Sequence, residues 1–132
     1  MNTDVRSESV VYGCIKNIIS GELSQQRRSN RDAMQALPSA ESWSLVNREM
    51  FSLTEPGGAD LSLATEVVHF GASYSGVEHE WNYWLEQFES LLRNMYWVSA
   101  TVHLETEMSG LHSFVFATDG LCHEPQRSDI QI

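Results

Sequence analysis

Residues 75–97 read SGVEHEWNYWLEQFESLLRNMYW, and residues 98–118 continue VSATVHLETEMSGLHSFVFAT. In the first part Trp81, Trp84, Leu85, Phe88, Leu91, Leu92 and Met95 recur at spacings of three and four, the stripe of a helix that buries one face. Ser75 and Glu78 stand three apart in the form of a capping box, which places the helix start near Gly76. After Trp97 the period switches to two. Val98, Ala100, Val102 and Leu104 lie on one side of a strand, with Ser99, Thr101, His103, Glu105 and Glu107 on the other. Ser109-Gly110 then closes a hairpin onto Leu111–Thr118. A helix feeding a strand and a hairpin is a scaffold, and function has to be argued from the surface it carries.

Upstream, Val10–Ile19 is rich in β-branched and aromatic residues and reads as the first strand, with Gly13 marking a bulge, a close backbone approach or an ordinary strand glycine. Glu22–Leu37 follows as a helix whose apolar edge is thin: Leu23, Ala33, Met34 and Leu37 flank an entirely polar centre, QQRRSNR. Arg27, Arg28 and Arg31 in that centre are a solvated face or an anion contact. A strand is expected over residues 43–53, although LVNREM within it also suits a helical turn, and Glu55-Pro56-Gly57-Gly58 is a loop. Leu61–Ser73 alternates as a third strand. Residues 1–9 and 120–132 lack periodicity and are expected to be loose ends of a single domain. The order is that of an α+β fold with a mainly antiparallel sheet and two helices on one face. It corresponds to a ferredoxin-like βαββαβ arrangement plus an extra edge strand.

Charge narrows the function. Eight Lys and Arg stand against eighteen Asp and Glu, a net charge of −10. From Glu49 to Pro125 there are twelve acidic residues and one basic residue, Arg93. Phosphate binding needs a basic stripe, so nucleic acid is not an expected partner. An acidic field speeds encounter with a basic one. No charged leader precedes a long apolar run and no membrane-spanning run is present, so a cytoplasmic protein is expected. Cys14 and Cys122 form no CxxC pair, as suits reduced thiols.

If the hairpin turns at Ser109-Gly110, Glu107 faces His112, Glu105 faces Phe114 and His103 faces Phe116, all on the sheet face away from Val102 and Leu104. Two aromatics with an acidic rim have the composition of a protein-binding patch, with Glu66 adding to the steering field. The partner-binding candidates are therefore His103, Glu105, Glu107, His112, Phe114, Phe116 and Glu66. A register shifted by one would send Phe114 and Phe116 into the core. His103, Glu105, Glu107 and His112 lack the tight spacing of a zinc site, and no nucleophile, HExxH or phosphate-loop motif occurs, so neither metal, cofactor nor catalysis is expected.

At VVHFGASY (67–74), EWNYWLEQFESLLRNMYW (80–97) and ATVHLETE (100–107) the chain resembles small bacterial immunity proteins of polymorphic and secretion-system toxins. The resemblance implies a small acidic cytosolic protein, without catalytic residues, that binds and blocks one cognate toxin or effector. The acidic balance suits a basic target. Two alternatives stay open: a homodimeric ligand-binding or regulatory module, and a small metal-dependent enzyme of the same fold.

Overall fold

The structure is a computed structural model that describes residues 8–18, 23–42, 44–53, 65–118 and 124–130. Its strands are β1 (Glu8–Ile18), β2 (Phe51–Leu53), β3 (Thr65–Ser75), β4 (Ser99–Thr106), β5 (Gly110–Ala117) and β6 (Gln126–Ile130). Its helices are α1 (Leu23–Gln35) and α2 (Trp81–Arg93). The strands form one six-stranded sheet in the order β2-β3-β1-β4-β5-β6, every neighbouring pair antiparallel. Each helical connection thus skips one strand: α1 leads from β1 past β3 to β2, and α2 leads from β3 past β1 to β4. The α+β class expected from the sequence holds.

Both helices pack on one face. That face carries Val11, Ile15, Val68, Phe70, Ala100, Val102, Leu104 and Phe116, which join Trp84, Leu85, Phe88, Leu91 and Leu92 of α2 in one buried cluster. Burying these apolar surfaces at roughly 25 cal/mol per Å² is the main force holding α2 to the sheet. Gly13 lies on the same face, and the β1 register is unbroken, so no bulge is present. A Cβ there would overlap the Thr101 carbonyl and press on the Phe70 ring. The glycine is a close-approach residue.

Helix α1, with Ala33 and Met34 packed toward the core and Leu37 just beyond its end, docks through hydrogen bonds as well. Arg27 Nε meets Glu66 Oε2 at 2.6 Å, Asn17 Nδ2 donates to Gln26 Oε1 at 3.0 Å, and Asn30 Nδ2 donates to the Tyr96 carbonyl at 2.9 Å. Asn30 also accepts the Tyr96 N–H at 2.7 Å. Buried polar groups hold a helix when their partners are in place, which is how a polar sequence makes an ordered helix here.

Four sequence expectations are corrected. The strand expected over 43–53 is only three residues long, preceded by 3-10 turns at Ala40–Ser42 and Arg48–Met50. The capping box does not form: Ser75 ends β3, Gly76 adopts φ +73°, and a 3-10 turn over Val77–Glu80 precedes α2. The hairpin turns over Glu107–Met108–Ser109, starting two residues earlier and one residue longer than expected, with Gly110 at φ +79°. The tail expected to be loose supplies β6, and within the start expected to be loose Glu8 and Ser9 pair in β1. Residues 54–64, including the Glu55–Gly58 loop and the start expected for the third strand, lie outside the described residues, as do Trp43 and Cys122.

Candidate functional site

The three-residue turn decides the fate of the expected patch. Leu104 pairs with His112, Val102 with Phe114 and Ala100 with Phe116, so those three β5 side chains share the helix-covered face. Phe116 is fully buried against Phe88, with ring centroids 5.4 Å apart. Phe114 is partly buried beneath Trp81 at 5.3 Å. Neither aromatic can anchor a partner on the open face. A one-residue change in turn length inverts every side chain beyond it, because the strand period is two. Glu66 is also misplaced as a steering charge: it is buried, paired with Arg27, and near the opposite end of the sheet from the hairpin.

His103 and Glu105 do lie on the open face, which neither helix covers. There the Tyr12 hydroxyl donates to Glu105 Oε1 at 3.0 Å, and the Tyr12 and His103 rings stand 5.0 Å apart. Holding its proton toward the Glu105 carboxylate raises the Tyr12 pKa above the ordinary tyrosine value. His103 Nδ1 lies 2.8 Å from Oγ of the buried Ser113, which fixes the ring's orientation. Val10 and Leu111 are exposed on the same face beside Glu105, and Cys14 is a free, half-buried thiol.

These residues continue into a larger surface at the hairpin end of the sheet. Glu8 N donates to Glu107 Oε1 at 3.2 Å and Glu107 N donates to the Glu8 carbonyl at 3.3 Å, tying the start of β1 to the turn. Within the turn, Ser109 N donates to Thr106 Oγ1 at 2.8 Å and His112 Nε2 lies 2.9 Å from Ser109 Oγ. His112 therefore braces the turn. Met108, at its tip, is 81% exposed. The chain leaves β3 at the same end: the Val77 N–H donates to Ser9 Oγ at 3.3 Å, with Val77 itself buried.

Beside that anchor opens a cleft of about 570 Å³ lined by Glu78, His79, Glu80, Trp81, Asn82 and Tyr83. Trp81 stacks on Trp84 at 5.0 Å and 13°, while Tyr83 is 57% exposed. Both Glu78 carboxylate oxygens and Trp81 Nε1 are buried without a hydrogen-bond partner. The glutamate that the sequence assigns to capping Ser75 is thus unemployed by the fold. Glu8, Glu105 and Glu107 lie at the hairpin end of the sheet with Val10, Met108 and Leu111, and the turn that carries Glu78 and Glu80 leaves β3 at the same end before Tyr83 on α2, on the helix-covered side. Sequence reasoning picked out Glu105 and Glu107 but not the rest. Tyr83 was legible as a residue off the apolar stripe of α2, whereas Glu8 and Met108 come into play only through strand pairing.

Among the described residues, no group of three His, Cys, Asp or Glu side chains is placed to hold a metal ion. The hairpin register separates His103 and Glu105 from His112, on opposite sheet faces. Among the described residues no helix is long and apolar enough to cross a membrane. Comparison with protein-family models, with curated proteins and with solved structures found no match to this chain.

Proposed function

We propose that this protein binds a basic protein partner and neutralises it, as an immunity protein blocks its toxin, through the acidic hairpin end of the sheet. The observation that carries the reading is the hairpin-end surface: exposed Glu8, Glu105 and Glu107 beside exposed Val10, Met108 and Leu111. Apolar and aromatic anchors within a charged rim are the usual composition of a protein interface. The rim steers a cationic partner in and rejects anionic ones. Glu78 adds a specific attraction. A buried carboxylate without partners is costly, and turning it toward a guanidinium or ammonium group gives up no hydrogen bond.

The test is capture of the partner on tagged full-length protein from its own cell, with high-salt washing, followed by binding kinetics on the purified pair. A stoichiometric basic protein is expected. Changing Glu105 and Glu107 together to Gln should slow its association about five- to tenfold at low salt and flatten the salt dependence. Met108→Ala should act on dissociation. A captured partner indifferent to all three substitutions would refute this surface. The uncovered sheet face around Val10, Cys14 and Leu111 favours a second reading, in which two copies pair through it. A molecular mass that doubles with concentration in the absence of partner would select that reading.

A further inference from the structure

A second concave site lies away from the acidic end, where the last turns of α1 meet the 3-10 turn before β2. The chain leaving α1 is tied to that turn by the Arg48 N–H, which donates to the Pro38 carbonyl at 3.0 Å. The resulting pocket, about 200 Å³, is lined by Arg31, Met34 and Gln35 of α1 together with Arg48 and Phe51. Met34 is buried and Phe51 half-buried, so the pocket includes apolar surface. Two of the chain's eight basic residues converge there.

Among the described residues, one of the two is without a carboxylate and the other has a single, exposed one. Arg31 has no carboxylate within ion-pair distance among the described residues. Arg48 pairs with its neighbour Glu49 through Oε1 at 3.7 Å, both side chains about half exposed, while Oε2 of the same carboxylate accepts the Ala40 N–H at 3.0 Å. Arg27, from the same basic run, is spent on Glu66. In a chain of net charge −10, two arginines lining one pocket, only one of them with a carboxylate partner among the described residues, form a local exception to the acidic field.

We propose that this pocket binds a small organic anion, a carboxylate or phosphate on a compact apolar body. A guanidinium group matches the planar acceptor geometry of such head groups, and the Gln35 amide can add a further donor. The apolar body lies against Met34 and Phe51. A volume near seven waters, at roughly 30 Å³ each, limits the ligand to about the size of benzoate. The site is independent of the partner surface proposed above, since it shares no residue with it.

The experiment is titration of the isotope-labelled full chain with benzoate, phenyl phosphate, inorganic phosphate and, as the neutral control, benzyl alcohol, followed by two-dimensional NMR. Benzoate or phenyl phosphate should shift the Met34 methyl and the backbone signals of Arg48 and Phe51 at low millimolar concentration. Whichever binds more tightly identifies the head group, and inorganic phosphate should bind more weakly for lack of the apolar body. Arg31→Gln and Arg48→Gln should each weaken binding at least tenfold with the remaining spectrum unchanged, while Arg28→Gln, an exposed arginine of α1 outside the pocket, should not. The proposal is overturned if no anion shifts these signals at about 10 mM, if benzyl alcohol binds as well as benzoate, or if both pocket substitutions leave binding intact.

Discussion

Replacing Phe116 with alanine separates the two registers of the last hairpin, and with them two ideas of where this protein meets a partner. Phe116 is wholly enclosed, edge-on to Phe88 beneath α2. Removing a buried phenylalanine ring costs about 3–5 kcal/mol through lost transfer energy and the cavity left behind. The Phe88 contact contributes roughly 0.5–1.5 kcal/mol beyond area burial. Against a total stability of about 5–15 kcal/mol for a domain of this kind, that is roughly a fifth or more. Urea denaturation followed by tryptophan fluorescence is the assay. With a slope near 2 kcal/mol per molar, the midpoint should fall by about 2 M at unchanged slope. On the open sheet face the ring would be a surface residue, whose truncation changes stability by about 0.5 kcal/mol or less. A loss below about 1 kcal/mol would therefore refute the observed register and restore Phe116 as a surface anchor.

Three further outcomes follow from buried and hydrogen-bonded polar groups. Glu78→Met removes two buried, unpartnered carboxylate oxygens and should raise stability by about 1–2 kcal/mol while weakening partner association; a loss of stability would mean that Glu78 has a structural partner after all. The Tyr74 hydroxyl donates to the Leu45 carbonyl at 2.6 Å and accepts from Trp84 Nε1 at 3.0 Å, so Tyr74→Phe leaves both unpaired and should cost about 2–4 kcal/mol by denaturant titration. Burial raises the Tyr74 pKa, against a smaller lowering by the Trp84 hydrogen bond, and the Glu105 bond raises that of Tyr12. A raised phenol means the folded chain holds protons the unfolded chain has released. Stability should then be intact below the ordinary tyrosine value and fall as pH climbs from about 10 through the raised values, less steeply in the Tyr74→Phe protein; a flat profile to about pH 11 would contradict this.

The amino-acid sequence by itself determined the elements that rest on local periodicity. The apolar stripe from Trp81 to Leu92 specifies a one-sided helix, and the alternation over Ala100–Leu104 specifies a strand with the same face buried, because both signals lie within a few residues. The acidic balance is likewise a property of composition, and Glu105 and Glu107 were legible as exposed acids. Tertiary structure alone decided which residues share a surface. The identity of the turn, Glu107–Ser109 rather than Ser109-Gly110, moved Phe114 and Phe116 to the core, since it shifts the pairing by three positions, an odd number that puts every β5 side chain on the other face. Strand β6 forms because β5 offers it an unpaired edge, not because its own residues alternate. Arg27 finds Glu66 across thirty-nine positions, and Glu8 finds Glu107 across ninety-nine. Such pairings depend on strand order, which no local pattern encodes. The acidic end and the arginine pocket are both assembled by contacts of that kind.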